Sequence, residues 1–345
     1  MKKLLLFFVM ILFGGLATAQ DIHFSQFYMS PLNLNPALTG VMNCDKRFIG
    51  NYRNQWASVL KTNAYNTYAA SYDQKIPVGR YDYFGIGGGF YGDVAGQLSF
   101  GTIAAKLAGS FSKRMAGNRV NSHYLAAGFD VGVAQRSLNF AGAQFGSQHD
   151  GQGGFDPTLP GESIDNSNFI YPDINVVLLW FSVMDKNSFY AGVAYSHLNQ
   201  PNQSFNNGII DPIDGKITAH VGGELELKKN LHLVPGAVMF RQGEAFEVNL
   251  GSSAKFITQK AKDFEQSFQF GAWVRFANHF EKAFTTDAVI VSSRFDFNRY
   301  GVGLSYDLNV SSLRPASNGN GAFELSLIYN ICGGTSSRGV YCPTF

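Results

Sequence analysis

The clearest pattern in the chain is an alternation of apolar and polar residues that recurs along its length. Residues 217–228 read I-T-A-H-V-G-G-E-L-E-L-K, with apolar side chains at odd positions and polar ones at even positions. Successive side chains of a β-strand point to opposite faces, so this period of two predicts a strand between two unlike solvents. One such strand also fits a soluble sandwich. Repetition in segments of about ten residues is typical of an outer-membrane β-barrel.

Fourteen segments follow this pattern, and bacterial single-chain barrels have an even number of strands. The chain is therefore predicted to form one all-β domain, a transmembrane antiparallel barrel of about fourteen strands. The predicted strands are Arg47–Trp56, Ala64–Asp73, Tyr81–Tyr91, Phe100–Lys113, His123–Gln135, Tyr171–Met184, Ser188–Leu198, Ile217–Lys228, Leu231–Arg241, Ala245–Phe256, Gln266–Phe276, Phe284–Phe297, Tyr300–Val310 and Ala322–Ile331.

The connections between these segments orient the predicted barrel. Outer-membrane barrels have short periplasmic turns and longer extracellular loops. The tight connections 185–187, 229–230 and 298–299 all fall on one side, which is therefore predicted to face the periplasm. The connections on the other side include the long segments 136–170, 199–216 and 311–321. The connections that depart from this rule are 74–80, 114–122, 242–244 and 257–265.

The two ends of the chain do not follow the strand pattern. Residues 1–19 have a basic start, a short apolar run and a small-residue cleavage site, which predicts a signal peptide and a mature chain beginning at Gln20. Residues 20–43 are aromatic and turn-rich, and we expect an arm that enters the lumen or caps the periplasmic mouth. Residues 44–331 are predicted to form the barrel, and residues 332–345 a periplasmic tail.

Composition narrows the choice of class. The 31 Phe and 16 Tyr residues suit the lipid face and the aromatic girdles of a barrel. After the predicted cleavage site the longest apolar run is 176–183, well short of the roughly 18 residues that a transmembrane helix needs. A net charge of +2 gives no basic patch for nucleic acid, so a nucleic-acid partner is not expected.

Motif searches give little support for an enzyme or a cofactor. Residues 87–92 fit G-x-G-x-x-G, but they lie inside an alternating strand and no helix follows. No nucleophile–base pair or metal-ligand spacing stands out, so neither a catalytic residue nor a bound cofactor or metal is expected. His220 and His232 are predicted to face the lumen, where they form a polar cluster with Glu224 or Glu226.

The long segment 136–170 carries four carboxylates, the type of side chain that binds calcium in proteins. Their spacing matches no known calcium loop, and a solvated surface is favoured. These residues are Asp150, Asp156, Glu162 and Asp165.

Three cysteines fit an oxidising compartment. Cys332 and Cys342 follow the last predicted strand, and Cys44 precedes the first. The first and last strands of a closed barrel are neighbours. The sequence therefore leaves open a Cys332–Cys342 disulfide, a pairing of Cys44 with either partner, and free thiols.

Several sequence motifs resemble the PorP/SprF family of type IX secretion outer-membrane proteins. In the arm, the matching residues are Phe24, Gln26, Phe27, Tyr28, Pro31, Asn35, Pro36 and Gly40. The motifs continue at 52–56, 68–73, 196–201, 204–205 and 342–345. Asn199 stands where the family pattern has Thr, and Cys44 is not part of that pattern.

The resemblance implies a FadL-like fourteen-stranded barrel in the Gram-negative outer membrane, with the arm in or near the lumen. It further implies a non-enzymatic component that receives, translocates or anchors a secreted adhesin-type cargo through the cargo's C-terminal sorting domain. Other type IX secretion and gliding components are then partners, beside the lipid bilayer. The alternative is a FadL-like channel for a small or hydrophobic solute.

Overall fold

The fold is a closed antiparallel barrel in which every strand pairs with its two neighbours. It is seen in a computed structural model that describes residues 21–118, 121–140, 143–151, 154–162, 164–260, 265–279 and 282–333. The predicted signal peptide, Cys342 and most of the predicted tail lie outside these residues.

All fourteen predicted strands are confirmed. They are β1 (Lys46–Gln55), β2 (Tyr65–Val78), β3 (Asp82–Ala95), β4 (Phe100–Gly117), β5 (Ser122–Ser137), β6 (Asn168–Met184), β7 (Asn187–Ser196), β8 (Lys216–Lys228), β9 (Leu231–Gln242), β10 (Ala245–Lys260), β11 (Glu265–His279), β12 (Lys282–Phe297), β13 (Tyr300–Asn309) and β14 (Asn320–Ile331). β1 pairs with β14 from Lys46 opposite Ile331 to Gln55 opposite Ala322, which closes the barrel.

The alternation read from the sequence is the alternation between lipid face and lumen. Along β13, residues 300–309 are exposed at every even position and buried at every odd position. In β8, Ile217 and Val221 are exposed, whereas Thr218 and His220 are buried. These strands present an apolar row outward and a largely polar row inward, as expected for a barrel with a filled lumen. In β6 the inward row also contains Val177, Leu179 and Phe181, which are buried in the lumen.

The two ends of the barrel differ in their connections, and we call them the turn end and the loop end. The turn end contains the starts of β1 and β7 and the ends of β6 and β14. Three connections there are shorter than the sequence pattern predicts, because β2, β4 and β10 extend to Val78, Gly117 and Lys260. The loop end holds the long connections 138–167 and 197–215. In this class the turn end faces the periplasm and the loop end the exterior.

Short helical turns occur in the arm and in the outer loops. They are Phe27–Met29, Pro31–Leu34, Pro36–Leu38, Ala57–Leu60, Lys61–Asn63, Gly146–Gln148 and Arg314–Ser317. Within the described part of the chain, no helix combines the length and apolarity needed to cross a membrane.

The arm, residues 21–43, runs through the lumen from one end of the barrel to the other. Its first described residue, Asp21, bonds Gln242 at the loop end. Near its other end, the carbonyl of Met42 accepts a hydrogen bond from Lys75, close to the turn end. Of residues 24–42, all are buried except Asn33. Between the two placements left open by the sequence, the arm therefore occupies the lumen.

A disulfide joins Cys44, directly after the arm, to Cys332, directly after β14. The two Cα atoms lie 4.4 Å apart at the turn end of the β1–β14 seam. The structure thus corrects the pairing of Cys332 with Cys342: Cys332 takes Cys44 as its partner. The reason is the closure of the barrel, which brings residues 288 positions apart into contact.

Removing this disulfide is expected to lower the free energy of unfolding without opening the barrel. Replacing Cys44 and Cys332 together by serine should cost about 2–5 kcal/mol, because the bond constrains the unfolded chain over a long loop. Urea unfolding under oxidising conditions measures this cost. Cys342→Ser is the matched control, and its gel mobility without reductant should equal that of the unaltered protein. A mobility change in Cys342→Ser alone would show that the pairing is different.

Candidate functional site: a plugged lumen below two joined outer loops

The arm residues that carry the family resemblance all lie inside the barrel, where they pack on the wall or shape the arm. Those residues are Phe24, Gln26, Phe27, Tyr28, Pro31, Asn35, Pro36 and Gly40, each of them buried. Phe27 and Tyr28 meet Trp273 with ring centroids 5.5 Å apart in both cases. Such aromatic pairs stabilise the packing of the arm on the barrel wall, both through the apolar area that they bury and through the favourable orientation of their rings.

Asn35 fixes the fold of the arm and its position together. Its side-chain oxygen accepts a hydrogen bond from the Ala37 amide at 2.9 Å and so caps the turn Pro36–Leu38. Its side-chain nitrogen donates to the Leu178 carbonyl at 3.2 Å and lies 3.0 Å from the His220 ring. One buried amide therefore links the arm to β6 and β8.

Towards the loop end, four buried charges of the wall surround the start of the arm. Arg53 contacts both Glu324 and Asp307, and Arg275 lies 2.8 Å from Asp307. The backbone amides of Ser25 and Gln26 donate to the two oxygens of Glu324 at 2.6 and 2.9 Å. Arg53 is the ion-pair partner of Glu324, so its removal would leave that buried carboxylate uncompensated, which is costly in a low-dielectric interior.

Towards the turn end, a second ion pair holds the other half of the arm. Arg47 and Asp73 are both buried and lie 2.9 Å apart. Asp73 also accepts a hydrogen bond from the Gly40 amide at 2.8 Å, and Arg47 donates to the Leu38 carbonyl at 3.2 Å. Gly40 has φ +73°, a conformation that other residues rarely adopt, which explains glycine at this position of the arm.

The glycine-rich run of β3 lets the arm approach the wall closely. A Cβ on Gly85 would overlap the Thr39 carbonyl oxygen, and one on Gly87 would lie 3.1 Å from the Thr39 methyl group. Residues 87–92, whose G-x-G-x-x-G spacing had no nucleotide-binding context, thus lie in a strand that faces the arm. A cavity beside Asn33 and Gly89 has room for about one water molecule.

At the loop end, the start of the arm is held by a histidine between two carboxylates. The His197 ring nitrogens lie 2.6 Å from Asp21 and 2.8 Å from Asp173. Lys106 lies 2.7 Å from Asp173, and Lys216 lies 3.8 Å from Asp21. Burial alone would lower the pKa of the imidazole, but Asp21 and Asp173 outweigh it and raise the pKa of His197 to about 9.

The hold on Asp21 is expected to weaken at alkaline pH. The folded-state pKa of His197 lies above the ordinary value of about 6.5. Its contribution to the free energy of unfolding is therefore fully present below that value and is lost as the pH rises through about 9. Urea unfolding at a series of pH values measures this loss. His197→Asn should abolish the pH dependence, whereas the exposed control His149→Asn should retain it. Equal profiles for both variants would contradict the assignment.

The predicted polar cluster of His220, His232, Glu224 and Glu226 forms only in part. His232 lies 2.6 Å from Glu224, which also contacts Lys255 at 3.2 Å. His220 instead contacts Asn35 of the arm. Glu226 bonds Lys186 at the turn end. The alternation correctly predicts that both histidines face the lumen. It could not show that an arm residue, Asn35, would contact His220 there.

The loop carboxylates considered for calcium do not gather. Asp150 and Asp156 accept hydrogen bonds from their own neighbours, Gly154 and Thr158. Asp165 accepts from the Asn207 amide of the other long loop at 2.7 Å. In the described residues, no group of three or more His, Cys, Asp or Glu side chains is placed to bind a metal ion.

Sequence reasoning missed the buried ion pairs that hold the arm. The signal that could have found them is the alternation along each strand, because the charged residues concerned occupy inward-facing positions. Charges facing a lumen are solvated in an open channel and must be paired in a filled one. The missed residues are Arg47, Arg53, Asp73, Arg275, Asp307 and Glu324.

Together the fold and site define an outer-membrane β-barrel whose lumen is filled by its own N-terminal arm. The protein-family model for "Type IX secretion system membrane protein PorP/SprF" matches residues 16–329 of the chain. The chain belongs to this family, whose members and fold are those of secretion or transport proteins. No curated protein matches the chain.

Solved barrels show a distant likeness. The Pseudomonas putida toluene transporter TodX is 11% identical, with a TM-score of 0.45, and the match covers 90% of this chain and 93% of TodX. CdiB from Acinetobacter baumannii is 7% identical with a TM-score of 0.45, and the match covers 83% of this chain. The chain spans 60% of the length of CdiB. A bacterial polysaccharide outer membrane secretin is 8% identical with a TM-score of 0.38, and the match covers 84% of this chain and 99% of the secretin.

Proposed function

We propose that the protein is a closed outer-membrane anchor of the type IX secretion system. It holds a secreted, adhesin-type protein at the cell surface, through that protein's C-terminal sorting domain, and performs no chemistry itself. The observation that supports this proposal is the filled lumen. An arm with buried residues throughout 24–42, apart from Asn33, leaves the outer loops and the rim for contact with a partner.

The arm supports an anchor better than a channel because its contacts are spread over the whole depth of the barrel. Asp21 is held at the loop end, Ser25 and Gln26 by Glu324, and Gly40 by Asp73 near the turn end. Opening a passage for a solute would require breaking several buried polar contacts together, each costly when one partner is left unpaired.

The proposal is tested in the producing bacterium by replacing residues 199–214 with a Gly-Ser linker. The secreted proteins that remain cell-associated and those released to the medium are then quantified. We expect a secreted protein to move from the cell fraction to the medium while the barrel persists in the outer membrane. The same linker in residues 57–63 is the control. An unchanged distribution in the first strain would refute the anchor function.

A further inference from the structure

The two longest outer connections, residues 138–167 and 197–215, form a single unit that we call the loop platform. Phe205 of the second connection packs between Phe140 and Phe169, with ring centroids 6.0 and 5.0 Å away. The Asn166 amide donates to the Phe205 carbonyl at 3.0 Å. At the base, Arg136 of β5 bonds Gln203. These contacts join the described residues of the two connections above the plugged lumen.

The tip of the loop platform displays two isoleucines on a fixed backbone. A bridge pairs Asn202 with Pro212, and the Gln203 amide donates to the Asp211 carbonyl at 2.7 Å. The Asn202 side chain donates to the Ile209 carbonyl at 3.1 Å. Ile209 and Ile210 are 54% and 83% exposed. They lie in a loop beyond the strand ends, so they are not part of the lipid-facing rows of the barrel.

Charge restricts what can cover this tip. The two connections together contain six carboxylates and no lysine or arginine. The carboxylates are Asp150, Asp156, Glu162, Asp165, Asp211 and Asp214. Such a surface repels the anionic headgroups of a membrane and attracts positive charge, which also speeds encounter with a basic partner. Asp211 directly follows Ile210, and Asp165 accepts a hydrogen bond from the Asn207 amide, in the same loop as Ile210. An apolar tip in an acidic loop pair thus fits a partner that combines apolar and basic side chains.

We infer that the tip of the loop platform, centred on Ile209 and Ile210, docks a segment of a secreted protein that combines apolar side chains with lysine or arginine. The inference rests on the proposed anchor function and specifies its contact. Covering one exposed isoleucine is expected to raise the affinity about tenfold. The surrounding carboxylates set the specificity for a basic partner and make its binding sensitive to salt.

The inference is tested with three synthetic peptides of equal length, alternating Lys/Val, Glu/Val and Lys/Ser, and the full-length barrel in nanodiscs. Fluorescence anisotropy should show that Lys/Val binds in preference to the other two and more weakly as salt is raised. Ile210→Ser should weaken binding about tenfold, and the double variant Asp211→Asn, Asp214→Asn should also weaken it. The matched controls are Val59→Ser, on a different outer loop, and Asp185→Asn, at the turn end; both should leave binding unchanged.

Two outcomes would overturn the docking surface. One is equal binding of Lys/Val to Ile210→Ser and to the unaltered barrel, or a preference for Glu/Val. The other concerns lipid: a polarity-sensitive dye on Ile210→Cys, in a Cys342→Ser background, should respond to Lys/Val and not to phosphatidylglycerol vesicles. A response to vesicles alone would show that the tip meets a membrane.

Failure here is distinguishable from failure of the anchor function. If Ile210→Ser retains every secreted protein on the cell while the 199–214 linker releases one, the anchor stands and the tip is not its contact. If the linker itself releases nothing, the anchor function fails first.

Discussion

Replacing Arg53 with alanine is expected to lower the free energy of unfolding by about 3–5 kcal/mol, because the change leaves the buried carboxylate of Glu324 without its partner. Arg53 is 3% exposed and contacts Glu324, Asp307 and Ser25. Asp307 keeps Arg275 as a partner, so the main uncompensated charge is that of Glu324. Urea unfolding of the refolded barrel in lipid vesicles measures the loss.

Two further variants separate the loss of the ion pair from a general disturbance of the lumen. The charge-neutral pair Arg53→Met, Glu324→Gln removes both charges and should recover much of the stability lost in Arg53→Ala. Arg80→Ala, at an exposed position near the turn end, should change the free energy of unfolding by no more than about 0.5 kcal/mol. If Arg53→Ala behaves like Arg80→Ala, the network is not what holds the arm.

The strand pattern was readable from the sequence because lipid and lumen impose opposite chemistry on alternate residues. β13, predicted at Tyr300–Val310, is found at Tyr300–Asn309. The largest difference between prediction and structure is in β2, which the pattern ends at Asp73 and which continues to Val78. Pro77 lies in the missed part, and proline is usually a sign that a strand has ended. Here it pairs opposite Tyr83 near the turn end.

The contents of the lumen were less readable, because their partners are far apart in the chain. Arg53 and Glu324 are separated by 271 positions, and Ser25 and Glu324 by 299. The alternation within a strand shows that such residues face the lumen, but it does not show which of the many inward residues pair with one another. The arm also shows no regular alternation of apolar and polar residues. Neither its path nor the position of Asp21 at the loop end therefore followed from the sequence.

Deleting residues 21–43 is expected to convert a closed barrel into a conducting one. Eight-stranded barrels are filled by their own side chains, and barrels of 16–18 strands leave an aqueous channel. Fourteen strands fall between these cases, and here the arm supplies the filling. In planar bilayers the intact protein should show no steady current, whereas the deletion variant should show stable current steps. The same steady current from both proteins would contradict the plug and favour a solute channel.

A second variant keeps this test decisive if the deletion does not fold. Gly85→Val places side-chain atoms where the Thr39 carbonyl now lies, so it should displace the arm from the wall and give intermittent current. Gly50→Val is the matched control, because a Cβ at Gly50 meets no atom within 4 Å. Both variants add the same side chain to a barrel strand, and only the first meets the arm. Current in Gly85→Val but not in Gly50→Val therefore assigns the closure of the lumen to the arm itself, and silence in both would mean that the wall alone closes it.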